Sequence, residues 1–135
     1  MTDTAEHAAA RKRKRILVVD DAMIMRAIIK DIAVQAGWEV AGEAANGAEG
    51  VARYRELRPD LVTLDIVMPE MDGVEALRTL RAEHPEARVV MVTAIDQRAK
   101  LSECIQLGAA DFVVKPFDKQ RLLALLQKYA SHDGA

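Results

Sequence analysis

Five residues of this 135-residue chain could do chemistry together, and each stands where a short apolar run stops. Asp20 and Asp21 follow Ile16-Leu17-Val18-Val19, and Asp65 follows Leu61-Val62-Thr63-Leu64. Thr93 follows Val89-Val90-Met91-Val92, and Lys115 closes Asp111-Phe112-Val113-Val114. Gathered in one crevice, three carboxylates would repel one another, and at least one pKa would rise sharply without a counter-ion. Lys115 offsets one charge, and a divalent cation removes the rest of the conflict. The donors are all oxygens, with no His or Cys at any strand end, so the set selects a hard cation: Mg2+, with Mn2+ as a substitute. Mg2+ beside carboxylates and a lysine suits the stabilisation of a transferring phosphoryl group. A carboxylate can itself be the nucleophile in such a transfer, forming an aspartyl phosphate. Asp65 is the candidate, because it precedes an irregular loop and caps no helix. Asp20 and Asp21 precede a helical pattern, where capping accounts for one acid but not for two.

The elements that must position these residues are legible in the apolar pattern. Ile24, Ile28, Ile32 and Ala36 recur at four-residue spacing after the acid pair, and Gly37 falls where a helix C-cap glycine belongs. Trp38 to Ala44 reads as a second strand. Asn46-Gly47 opens a helix to about Leu57, and Pro59 stops it. After Asp65 the loop Met68 to Gly73 leads into a helix from Val74 to Glu83. Further helices run from Gln97 to Leu107, capped by Gly108, and from Lys119 to Ala130. Strand and helix alternate five times. The strands are continuous β-branched runs, as expected for strands buried on both faces, so the fold class is α/β: a doubly wound five-stranded parallel sheet with helices on both sides. Ligands of such sheets bind at the carboxyl ends of the strands, where the five residues stand.

Half the residues are hydrophobic and 30% are charged, with a net charge of -2, which suits one globular domain and gives no sign of a nucleic-acid partner. The one cysteine, Cys104, reads as a small buried residue on a helix rather than a reactive thiol. No apolar run is long enough to span a membrane, and no signal peptide opens the chain, so a cytoplasmic protein is expected. Residues 1–14 are expected to be a disordered basic tail, 15–130 the domain, and 131–135 a second short tail. The run Arg11 to Arg15 reads as a solvated lead-in to the first strand. Met23, Met25, Met68 and Met71 read mostly as packing, and His7, His84 and His132 as neither ligands nor phosphoacceptors. Trp38 lies away from the crevice.

The segments Ile16 to Asp21, Leu64-Asp-Ile-Val-Met-Pro-Glu-Met-Asp-Gly73, Val92-Thr-Ala94 and Gly108-Ala-Ala-Asp-Phe-Val-Val-Lys-Pro-Phe117 together resemble the response-regulator receiver domains of two-component signalling, most of all stand-alone chemotaxis regulators of the CheY type. The match spans about Arg15 to Tyr129. It implies a flavodoxin-like (βα)5 fold with strand order 2-1-3-4-5. It implies that Asp65 takes a phosphoryl group from a sensor histidine kinase or a small phosphodonor. Mg2+ would be held by Asp21 directly, by Asp20 through water, by Asp65 and by the backbone carbonyl of Val67. Lys115 would pair with the phosphoryl oxygens, Thr93 would move to hydrogen-bond them, and Phe112 would turn inward behind it. A downstream protein would bind the fourth helix, fifth strand and fifth helix. A phosphatase is a further expected partner, with no nucleic acid, no membrane insertion and a monomer before phosphorylation.

Two departures bear on the signal. Phe112 stands where many such regulators have tyrosine. Val67 and Ile95, two residues past Asp65 and Thr93, are apolar where some relatives place a water-orienting polar group, so slow self-dephosphorylation is expected. Other readings fit less well. The P-loop pattern is absent, the acid pair would repel a flavin phosphate, and Val67 replaces the second acid of a dehalogenase-type phosphatase. A phosphorelay intermediate passing phosphoryl to a histidine phosphotransfer protein, or a regulator outside chemotaxis, stays open. The start at Met1 and the lack of a linker favour a complete single-domain protein over a transcription regulator without its DNA-binding half.

Overall fold

Residues two apart along a strand face the same side of a sheet, and here both sides are apolar. Leu17, Val19, Val62, Leu64, Val89 and Met91 pack into one buried cluster, while Ile16, Val18, Leu61, Val90, Val92 and Val113 pack into another. A sheet of this kind needs helices over both faces. The computed structural model, which describes residues 13–94 and 96–131, supplies them. Its elements are β1 (Arg15–Val19), α1 (Met23–Gln35), β2 (Glu39–Ala44), α2 (Gly47–Leu57), β3 (Leu61–Asp65), α3 (Gly73–Glu83), β4 (Val89–Ala94), α4 (Arg98–Gln106), β5 (Asp111–Lys115) and α5 (Lys119–Ser131). The strands pair in parallel in the order β2-β1-β3-β4-β5, the flavodoxin-like order expected. α1 and α5 cover one face through Ile29, Ile32, Ala33, Leu122 and Leu126. α2, α3 and α4 cover the other through Val51, Tyr54, Leu77, Leu80 and Cys104. The chain leaves β1 for β2 on one side and returns to β3 on the other, so the switch point lies between β1 and β3.

Local chemistry sets the element ends. The Asn46 side chain caps α2 by accepting from Glu49 N at 2.8 Å, and Glu49 returns the bond from Ala45 N at 2.7 Å. Asp72 caps α3 through Glu75 N. Gly37 and Gly108 end α1 and α4 at positive φ, where a side chain would be strained. The Lys115–Pro116 peptide is cis.

The buried stripe of α1 differs from the sequence reading. Ile24 and Ile28 are 76% and 42% exposed, whereas Ile29, Ile32 and Ala33 are buried. Steps of four overshoot the 3.6-residue turn, so a strict four-residue ladder drifts off any one face. The last two residues of the basic run, Lys14 and Arg15, also differ from a solvated lead-in. Lys14 Nζ donates to the Tyr129 carbonyl in the last turn of α5 at 3.2 Å, and Arg15 donates to the carbonyl of Leu57 at the end of α2 at 2.7 Å. Helix C-termini leave such carbonyls unpaired and carry partial negative charge, which cations satisfy. Of the tails expected at 1–14 and 131–135, residues 1–12 and 132–135, including His7 and His132, lie outside the described residues, and Ser131 ends α5. Cys104 is fully buried on α4, and burial pushes its thiol up to about 11. Met23 is 72% exposed, Met68 is buried, and Met25 and Met71 pack against the two clusters. Among the described residues no helix is long and apolar enough to cross a membrane.

Candidate functional site

The strand ends converge as the apolar runs implied. Asp65 is the last residue of β3, Asp20 and Asp21 follow β1, and β1 and β3 are paired neighbours. One carboxylate oxygen from each of the three acids lies within 4.8 Å of the others. Lys115, the last residue of β5, reaches across β4 and bridges two of them, at 2.9 Å to Asp20 Oδ2 and 3.4 Å to Asp65 Oδ2. Neither acid caps α1: its N-cap is Ala22, which makes no side-chain cap bond. The Asp20 carboxylate instead accepts from Ala22 N at 2.9 Å, closing the elbow between β1 and α1.

Asp20 and Asp65 are buried, whereas Asp21 is exposed. Burial pushes the Asp65 carboxyl above its ordinary value. Lys115 opposes that rise, and the negative charge of Asp20 adds to it. Burial alone would lower the Lys115 ammonium, but its hydrogen bond to Asp20 and the charges of both acids outweigh this and raise it. One ammonium therefore serves two buried carboxylates, and a third carboxylate has no cation within ion-pair distance among the described residues. All-oxygen donors with unbalanced negative charge fit a hard divalent cation.

Thr93 lies near the end of β4, is 1% exposed, and its Oγ1 has no hydrogen-bond partner among the described residues. An orphaned buried hydroxyl is costly, so a group that arrives to pair with it is favoured. Thr93 and Phe112 share the sheet face that carries α3 and α4, since Phe112 is the register partner of Met91. Phe112 is half-buried against that face. Val67 stands in the β3–α3 loop with 51% of its surface exposed. Ile95 lies outside the described residues. His84 is remote from the crevice, buried at the end of α3 with its ring 4.7 Å from that of Tyr54.

Backbone contacts lock the loops around Asp65. Gly73 N donates to Ile66 O at 2.6 Å, and a Cβ on Gly73 would overlap the carbonyl oxygen of Asp65. Gly47 N donates to Met71 O at 3.0 Å, and a Cβ there would overlap that oxygen. The sequence did not mark two further residues near the crevice, Arg26 and Glu43. Arg26 donates to the Asp20 carbonyl at 2.8 Å and pairs with Glu43 Oε1 at 2.7 Å. Their only sequence signal is a cation one turn into the helix that follows the acid pair.

Residues 16–127 match the family described as the response regulator receiver domain. The chain is 50% identical to the chemotaxis protein CheY of Thermotoga maritima over 85% of its own length and 96% of that protein. It is 51% identical to the chemotaxis protein CheY of Bacillus subtilis, over 84% and 95%. Among solved structures, a chain of the CheX-CheY-BeF3-Mg+2 complex from Borrelia burgdorferi superimposes with a TM-score of 0.80 at 32% identity, covering 85% of this chain and 87% of that one. The response regulator domain of Thermotoga maritima CheB superimposes with a TM-score of 0.79 at 35% identity, covering 90% and 98%.

Proposed function

The chain belongs to the response regulator receiver domain family, and on that premise we propose that it accepts a phosphoryl group on Asp65 from the phosphohistidine of a sensor histidine kinase and relays the signal by binding a downstream protein in chemotaxis. The observation that carries this reading is the convergence of three carboxylates within 4.8 Å under one bridging lysine. In the transfer, an Asp65 carboxylate oxygen attacks phosphorus, the P–N bond of the donor breaks, and the imidazole leaves with that electron pair. Lys115 would follow the oxygens of the incoming group, a reading supported by its ammonium lying 3.4 Å from Asp65 Oδ2. The Thr93 hydroxyl, buried and without a partner among the described residues, would donate to them. Asp21, Asp20 through water, Asp65 and the Val67 carbonyl would hold Mg2+, for which Mn2+ can substitute. When bound, the cation supplies the positive charge that lets carboxylates and phosphoryl oxygens approach. The crystallised CheX-CheY-BeF3-Mg+2 complex of the similar Borrelia burgdorferi protein supports Mg2+ as the cation.

Thr93 bonding to the phosphoryl group would vacate space beside Phe112 and draw that ring inward, changing the α4–β5–α5 surface that meets the downstream protein. Without a hydroxyl, Phe112 signals by burial alone.

Incubation with acetyl phosphate and Mg2+ should add one hydroxylamine-labile phosphoryl group, and Asp65→Asn should add none. Equal labelling of that variant would overturn the assignment. Capture of a flagellar-switch protein by the phosphorylated form, set against capture of a histidine phosphotransfer protein, separates chemotaxis from a relay.

A further inference from the structure

Arg26 has no part in the roles above, yet it fixes the peptide that joins the two acids of the elbow. Every polar atom of Asp20 is held. Its N donates to Ala44 O at 3.1 Å, Oδ1 accepts from Ala22 N at 2.9 Å, and Oδ2 pairs with Lys115 at 2.9 Å. Its carbonyl oxygen accepts from Arg26 at 2.8 Å. That carbonyl belongs to the planar Asp20–Asp21 peptide, so its direction sets where the Asp21 backbone points. The Asp21 side chain is exposed and has no side-chain partner among the described residues, so only its backbone aims it. The Arg26 guanidinium is itself oriented. Its Nε lies 2.7 Å from Glu43 Oε1, its side chain is 15% exposed, and Lys30 holds the other Glu43 oxygen at 2.6 Å. Glu43 stands on β2, one residue before Ala44, which anchors Asp20 N.

We propose that Arg26 is a positioning residue for the metal-binding elbow, with Glu43 orienting the guanidinium and the guanidinium fixing the peptide that carries Asp21. The inference rests on the reading that Asp21 and Asp65 hold Mg2+. It makes a claim of sign. A cation beside a Mg2+ site repels the metal, so charge alone predicts that removing Arg26 tightens binding. Positioning predicts the reverse, because groups behind a metal ligand commonly contribute about 10- to 100-fold in affinity.

The test is calorimetric titration of the whole, unphosphorylated protein with Mg2+, well below its unfolding temperature. Arg26→Ala should bind about tenfold more weakly than wild type, at both low and high ionic strength, since screening removes charge effects but not lost geometry. Arg26→Lys keeps the charge but not the planar fork that reaches both acceptors, and should fall between. It decides the matter if the alanine variant does not fold. Lys30→Ala, which touches Glu43 but not the elbow, should stay within about twofold of wild type, as expected for an exposed pair. Arg26→Ala or Arg26→Lys binding as tightly as wild type, or tighter, overturns the proposal. A wild-type protein that takes up no Mg2+ overturns the metal reading instead, and this inference with it.

Discussion

Asp65 carries its charge in a place that resists it: 7% exposed, beside Asp20, with a share of one lysine. Its pKa in the fold lies above its unfolded value. The ionised group therefore destabilises the metal-free fold at pH above the folded value, and the penalty disappears below the unfolded value, where both states are protonated. Asp65→Asn keeps the shape and removes the charge, while Lys115 retains Asp20. In chelator at neutral pH the variant should be more stable than wild type by about 1 kcal/mol, or about 3 °C in Tm. The gain should shrink as pH falls below the folded value and be gone below the unfolded value of about 4. A variant less stable than wild type at neutral pH would show that the Lys115 pair outweighs burial. Val67 bears on how long the signal lasts. Its isopropyl group offers no hydrogen bond to an attacking water, so the phosphoryl group should persist, and Val67→Asn should shorten its half-life several-fold. The measurement is loss of label after the donor is removed, and a wild-type half-life of seconds at neutral pH would contradict the reading. Asp20, Asp21, Asp65, Thr93 and Lys115 were legible because each ends an apolar run. Arg26 and Glu43 were not, because two opposite charges seventeen residues apart look like any solvated pair until the fold joins them.

At the scale of elements, the crevice depends on backbones that touch. The start of α3 lies directly on the end of β3, through Gly73 N to Ile66 O and the missing Cβ above Asp65 O. Gly73→Ala has no flexible neighbour to push aside, since the overlapping atoms are backbone. Such overpacking costs about 1–3 kcal/mol, and the shift falls on the peptide of Asp65 itself. Urea unfolding should show that loss, and phosphorylation by acetyl phosphate should slow in the same variant. Loss of stability with an unchanged rate would mean that α3 moves and β3 does not. The positions of β1, β3 and β4 were readable because both faces of each run are buried, and cap residues such as Asn46 and Gly37 carry their own signal. The buried face of α1 was not readable from spacing. Ile24 and Ile28 are as apolar as Ile29 and Ile32, and only the turn of the helix relative to the sheet separates the two pairs.

Across the whole molecule the two ends of the sheet divide the work. The carboxyl ends of the strands gather the acids, and the amino ends gather contacts that hold the layers together. There Lys14 and Arg15 tie β1 to the last carbonyls of α5 and α2. Trp38, just before β2, is 3% exposed and donates its indole N–H to the Leu126 carbonyl of α5 at 2.8 Å. The strands of this sheet rise about 3.3 Å per residue, so the ring sits roughly 15–20 Å from the acids. It belongs to the buried cluster under α1 and α5, which includes none of the crevice acids, Thr93 or Lys115. The one tryptophan should therefore report unfolding and not the site. Mg2+ should leave the emission of the native protein unmoved, while the urea midpoint followed by the same fluorescence rises, because a ligand that binds only the folded state stabilises it. At a hundred times Kd that gain is about 2.7 kcal/mol. Asp21→Ala should abolish the rise without altering the emission spectrum. A native-state emission change on adding Mg2+ would show that the crevice and the α1–α5 layer are coupled through β1, and that the two ends of the sheet are not independent.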